Sequence, residues 1–207
     1  MKRKILIMLV AAVGLQTAKA QDGERAVMKG QNSVNVYYGL NLMRGFYKGV
    51  ANSSGSDVQI GGLGPVGIVF EHMVTDGIGI GAEVGYGTTT VGWNYESIDW
   101  SGSSNTLQTY HTEYRFTTIR AQFRANFHFI KSSNFDMYFL LSAGYRHQTF
   151  SVTSTEPGYS GGTIGGFIPF GLKPGLGFRY FFNGPIGLHA ELALGTPMAC
   201  GGLSFRF

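Results

Sequence analysis

From residue 32 onward apolar and polar positions alternate with a period of two, which marks strands with one face in an apolar medium. Val34, Val36, Tyr38 and Leu40 share a face opposite Asn35, Tyr37 and Gly39, and Val66, Ile68 and Phe70 oppose Gly67 and Glu71. Ile78, Ile80, Ala82, Val84 and Tyr86 then stand against Gly79, Gly81, Glu83 and Gly85. The clearest run sets Ile119, Ala121, Phe123, Ala125, Phe127 and Phe129 against Arg120, Gln122, Arg124, Asn126 and His128. Further runs cover residues 137–148, 170–180 and 186–194, and a last one begins near Met198 and ends at Phe207. The pattern predicts an all-β chain of about eight antiparallel strands, an even number that lets a meander close into a barrel.

The connections alternate in length. Val74-Thr75-Asp76-Gly77, residues 131–135 and Phe182-Asn183-Gly184-Pro185 are short, and two of them carry the Asp-Gly or Asn-Gly chemistry of tight turns. Residues 41–61, 88–107 and 151–165 are longer and polar and read as loops, while the link around Gly195-Thr196-Pro197 is brief. Short turns on one side and longer loops on the other are what a membrane barrel shows, with both termini on the short-turn, periplasmic side.

Residues 1–20 form a separate object. Lys2, Arg3 and Lys4 precede an apolar run from Ile5 to Leu15, and Ala18-Lys19-Ala20 offers a small-x-small cleavage site. This is the pattern of a cleaved secretory signal peptide, with a run too short to span a bilayer as a helix. Residues 21–31 read as a polar periplasmic lead-in and residues 32–207 as the barrel. Removing Lys2, Arg3, Lys4 and Lys19 from the 16 basic residues leaves 12, equal to the 12 acidic ones. The basic balance therefore lies in the leader, and nucleic-acid binding gains no support. Cys200 is the single cysteine, so no internal disulfide can form.

Charged residues make up 14% of the chain, against about a quarter in typical soluble domains, and 32 glycines argue against a helical fold. The terminal strand, with Leu203, Phe205 and Phe207 on one face and Ser204 and Arg206 on the other, needs a partner on both edges. A closed barrel supplies them. A soluble lipocalin-like barrel shares the alternation but would turn the apolar face inward, leaving an exterior of glycine with sparse charges. Phe127, Phe129, Phe139, Tyr180, Phe181, Phe182, Phe205 and Phe207 mark one end, and Tyr86, Trp93, Tyr95, Tyr110, Tyr114, Tyr145 and Phe150 the other. Two aromatic levels read as interfacial girdles.

Together the leader, the alternating strands, the turn asymmetry and the terminal Phe207 resemble the OmpA/OmpX-type small outer-membrane β-barrel family. The likeness spans essentially the whole mature chain and is to the free-standing barrel, without a peptidoglycan-binding domain. It implies an eight-stranded antiparallel up-and-down transmembrane barrel in the outer membrane of a Gram-negative-type bacterium. It also implies contact with outer-membrane lipid and lipopolysaccharide, and insertion by a barrel assembly machinery that reads Leu203, Phe205 and Phe207. In that family a charged network occludes the lumen.

The polar face carries Glu71, Glu83 and Glu191 with Arg120, Arg124, Arg146, Lys173, Arg179, His189 and Arg206. An eight-stranded barrel is only wide enough for side chains to fill, and charges buried there must pair. Glu83 and Arg124 lie at similar depth, as do Glu191 and Lys173, with Arg120 near, which predicts an internal network. A structural or surface-interaction role follows, with a narrow anion-favouring path as an alternative. A lipid A deacylase-like hydrolase is the enzymatic alternative. Its nearest patterns are His189-x-Glu191, which lacks a serine, and His111-x-Glu113 beside Ser101, Ser103 and Ser104. Trp93, Tyr95 and Trp100 sit among Gly, Ser and Asn in a long link and suit contacts with an extracellular protein or glycan. Gly161-Gly162 and Gly165-Gly166 precede no helix, so a nucleotide cradle is not read there. Neither a cofactor nor a metal is expected.

Overall fold

The computed structural model describes residues 26–40, 58–99, 106–166, 168–182 and 184–207. The leader, Trp100 and the serines at 101, 103 and 104 lie outside the described residues. Ten strands are formed: β1 (Asn32–Gly39), β2 (Val58–Gly61), β3 (Val66–Met73), β4 (Ile78–Asp99), β5 (Thr106–Lys131), β6 (Phe135–Ser154), β7 (Gly162–Gly165), β8 (Phe170–Phe181), β9 (Ile186–Ala193) and β10 (Ala199–Arg206).

Every pairing is antiparallel, and the path β1-β3-β4-β5-β6-β8-β9-β10 returns to β1 as a ring of eight strands. The seam runs from Ser33 opposite Arg206 to Gly39 opposite Cys200, and the Asn32 and Phe207 main chains exchange hydrogen bonds of 2.8 and 2.9 Å. No sheet edge is left at barrel level, which is the condition for strands to stand in hydrocarbon.

The remaining two strands are continuations. β2 pairs with residues 90–93 of β4, beyond the part that β3 covers, and β7 pairs with residues 149–152 of β6, beyond β8. Proline interrupts each composite strand, at Pro65 and Pro169, because it has no N–H for the ladder. At the first break Gly62 takes φ +106°, and a Cβ there would meet the Thr88 carbonyl oxygen at 2.4 Å.

Parts of the long links read as loops are strand; residues 41–57 and 100–105 of those links lie outside the described residues. β4 and β5 stay paired from Ile78 opposite Phe127 out to Asp99 opposite Thr106, and β6 runs to Ser154. The result is a flange of sheet above the barrel, four or five strands wide at its base and two at its tip. Its polarity comes from Thr88, Thr89, Thr90, Thr109, Thr112, Thr117 and Thr118, and β-branched threonine suits a strand as well as valine does. Trp93 and Tyr95 accordingly stand on β4, not in a loop.

Inside and outside follow the alternation. Val36, Ile68, Ile80, Val84, Phe123, Phe139, Leu172, Leu188 and Leu203 are exposed on the outer wall, Phe123 at 81%. Glu71, Glu83, Arg124, Lys173, Arg179 and Glu191 are all 3% exposed or less. Inward glycines make this filling possible. A Cβ at Gly177 would meet the Tyr138 ring at 2.1 Å, one at Gly67 the Tyr37 hydroxyl at 2.4 Å, and one at Gly79 the Glu71 carboxylate at 2.1 Å. In each case the neighbouring strand lays its long side chain across the glycine.

Residues 26–31 are tied to the turns at one end of the barrel. Ala26 donates to the Ser132 carbonyl at 2.7 Å, Lys29 N–H reaches Asp76 Oδ1 at 2.9 Å, and Ala26 and Val27 are buried. It lies across the short-turn end of the barrel and closes it.

A charged lumen and an open mouth

Two linked ion clusters fill the middle of the barrel. In the first, Glu83 from β4 accepts from Lys173 Nζ at 2.7 Å on Oε2 and 2.9 Å on Oε1, and Arg124 Nη1 stands 3.4 Å from Oε2. Arg124 also holds Glu191 through both terminal nitrogens, one at 3.1 Å and the Nη2–Oε1 contact shorter, while Lys173 Nζ lies 3.6 Å from Glu191. Tyr37 donates to Glu83 at 2.8 Å and Tyr138 to Glu191 at 2.9 Å. The second cluster lies toward the short turns. Glu71 accepts from Arg179 and Asn126, from Ser33 at 3.2 Å, and meets His128 Nε2 at 3.1 Å. His128 Nδ1 lies 2.7 Å from Asp136 Oδ1. Arg124 Nε, bonded to Asn126 at 2.9 Å, joins the clusters, and Tyr138 packs between them with the Arg179 guanidinium 4.5 Å from its ring centre.

The charges come from six strands, and short inward neighbours leave them room. Each is paired with an opposite charge, which is the condition on which a low-dielectric interior tolerates ions. Asp136, His128, Tyr37, Tyr138, Asn126 and Ser33 join the network beyond the charges that the sequence pattern singles out. Their parity alone could have placed them inside, because each sits on the face of Glu71, Arg124 or Lys173.

Not every expected member joins. His189 is buried in the lumen with its ring edge-on to Tyr37, 6.5 Å between centroids, and forms no ion pair. Arg206 turns to the closed end, donating to the Gly184 and Ala26 carbonyls at 3.2 Å each, its guanidinium 4.5 Å over the Phe181 ring. Among the described residues Arg120 reaches the network through Tyr37, donating to its hydroxyl at 2.9 Å. Arg146 stands directly opposite Arg120 on β6 and belongs to the mouth.

That mouth, at the long-connection end, is a cavity of about 630 Å³ lined by Arg120, Arg146, Phe116, Phe150, Leu40 and Met198 among others. The aromatics expected as one girdle divide by face here. Tyr86 and Tyr145 point outward at 42% and 49% exposure, whereas Val91, Tyr110 and Thr112 are buried on the inner face of the flange. Trp93 stacks on Tyr114 at 4.9 Å, Tyr114 on Phe150 at 5.6 Å, and Phe150 meets Phe116 at 4.8 Å. Tyr95 packs near Tyr110 and donates to Glu156 at 2.7 Å. The odd positions of β4 and the even ones of β5 and β6 carry the lumen-facing side upward, so these rings form a wall above the mouth. At the other end Phe127, Phe139, Tyr180 and Phe182 face outward, but Phe181 is fully buried beneath Arg206.

No nucleophile is assembled among the described residues. His111 Nδ1 faces Asn94 at 2.8 Å, Glu113 pairs with Arg115 at 2.9 Å, and Glu191 is held by cations. None of the described histidine rings is hydrogen-bonded to a serine or threonine hydroxyl.

The described residues form a closed antiparallel meander, apolar outside and packed with ions inside, which is the fold that the resemblance to OmpA/OmpX-type barrels implies. Three solved structures are similar to this chain. The N-terminal β-barrel domain of Pseudomonas aeruginosa OprF is 16% identical with a TM-score of 0.43. Ail, the attachment invasion locus protein of Yersinia pestis, is 11% identical with a TM-score of 0.43, and its complex with the heparin analogue sucrose octasulfate 12% with 0.42. Each match covers 87% of this chain and 100% of the other. No protein-family model and no curated protein matches the sequence.

Proposed function

We propose that this chain is an integral outer-membrane β-barrel of a Gram-negative-type bacterium, with an occluded lumen and a structural or surface-interaction role. The continuous apolar wall carries the reading. A side chain such as Ile68, Phe123 or Leu188 is about 1.5–3 kcal/mol better off in apolar surroundings than in water. A full girdle of them facing water would rival the net stability of a domain, about 5–15 kcal/mol. Soluble monomers rarely expose an apolar patch beyond a few hundred Å², so hydrocarbon is the medium that fits. The short turns and the 26–31 segment then face the periplasm and the flange faces outward. Residues 1–20 act as the cleaved leader, and Leu203, Phe205 and Phe207 serve recognition by the assembly machinery. Lipid and lipopolysaccharide contact the wall, and the flange around Trp93 and Tyr95 meets a protein or glycan.

Fractionation of expressing cells tests the location. The protein is expected in the outer-membrane pellet and in solution only with detergent; recovery from a detergent-free periplasmic extract overturns the proposal. Planar-bilayer recording tests occlusion. The wild type is expected to show no conductance steps, because side chains and the 26–31 segment fill the path. Steps altered by Glu83→Ala or Arg124→Ala would instead favour a narrow ion path.

A further inference from the structure

The lumen charges do not balance evenly along the axis. Glu71, Glu83, Asp136 and Glu191 are matched by Arg124, Lys173, Arg179 and His128 within the two clusters. Arg120 and Arg146 are left over, and they are direct cross-strand partners on β5 and β6. Like charges directly opposite in a ladder destabilise it, and more so away from water. Among the described residues neither guanidinium has a carboxylate within ion-pair distance. Arg120 is 3% exposed with Nη1 unpartnered, and Arg146 Nε is buried without a partner.

Both arginines line the mouth cavity, whose volume falls in the range of small-molecule sites. Below them the Glu83 and Glu191 clusters fill the barrel, and the 26–31 segment shuts its far end. The cavity is therefore blind, with two cations at its floor. Thr118 and Gln148 add polar groups to the lining, and Phe116, Phe150, Leu40 and Met198 supply apolar walls. Gly171 leaves room for the side chains beside it, since a Cβ there would meet Gln122 Nε2 at 2.8 Å and Arg146 Cβ at 3.0 Å.

We propose that this mouth is a binding site for an organic oxyanion, a carboxylate, sulfate or phosphate carried on an apolar body. The oxyanion sits between Arg120 and Arg146 and offsets their repulsion, and guanidinium forks are suited to that geometry. The apolar body rests against Phe116 and Phe150. The site needs only the blind, floored cavity, so it stands whether or not the flange also contacts a macromolecule.

The test is calorimetric titration of the full barrel in phosphatidylcholine nanodiscs, with empty nanodiscs as blank. The probe is 2-naphthalenesulfonate, and 2-naphthalenemethanol is its neutral counterpart. One saturable site per chain is expected for the sulfonate, weakened at least tenfold in Arg146→Gln and displaced by excess inorganic sulfate. The neutral alcohol is expected not to saturate. Equal binding of both probes, or an unchanged affinity in Arg146→Gln, overturns the proposal, as does no binding of the sulfonate at all. Arg120→Gln is expected to act in the same direction; because Arg120 is bonded to Tyr37, its fold is checked by circular dichroism. The half-buried Arg146 carries the decision if that variant fails to fold.

Discussion

Tyr138 and Gly177 show how single residues set the interior. They face each other on β6 and β8, and the tyrosine occupies the space a β-carbon would need. Gly177→Ala should therefore cost about 1–3 kcal/mol, as overpacking does. Urea unfolding from lipid vesicles would measure it, and Tyr138→Ala in the same chain should recover part of the loss. The ion clusters respond differently. Glu191→Gln removes the charge that Arg124 and Lys173 share and leaves two buried cations short of a partner. Breaking a buried pair from one side costs about 3–5 kcal/mol, so this variant should unfold at clearly lower urea than Glu113→Gln, whose pair with Arg115 is exposed and worth about 0–1 kcal/mol.

At the scale of the element, β4 and β5 are each two objects in one strand. Their lower halves complete the ring, and their upper halves make a flange whose inner face is aromatic. Replacing residues 94–111 by an Asn-Gly turn should leave the barrel's sheet signal and midpoint nearly unchanged, since the ring pairings lie below. A collapse of the barrel on that deletion would show the two halves to be one cooperative unit. The flange was the element least legible beforehand. Threonine-rich strand and threonine-rich loop look alike in composition, and only the register of Thr88 against Thr117 and Val91 against Tyr114 tells them apart. Trp93 and Tyr95, which the long link offers as contact residues, therefore stand on strand and not in a loop.

For the whole molecule, the apolar wall and the solvated flange make opposite demands on the same substitution. Arginine in place of Phe123, at the exposed midsection, should cost about 2–4 kcal/mol in a bilayer, whereas Leu107→Arg on the flange should cost no more than about 1 kcal/mol. Equal costs in a folding titration from vesicles would contradict a membrane around the barrel. Sequence alone determined the strands, their two faces and which face points out: a period of two splits each strand, and a polar face of glycine with sparse charges makes a poor exterior, so it turns inward. It also marked Glu71, Glu83, Arg124, Lys173, Arg179 and Glu191 as inward. Tertiary structure alone decided the rest: which charge meets which depends on the stagger between strands, and a shift of two residues keeps every face while changing every partner. The docking of residues 26–31 and the seating of Phe181 under Arg206 belong to the same class. So does the pairing of Arg120 with Arg146, which sets two cations at the floor of an open mouth through contacts between chain segments that no local pattern records.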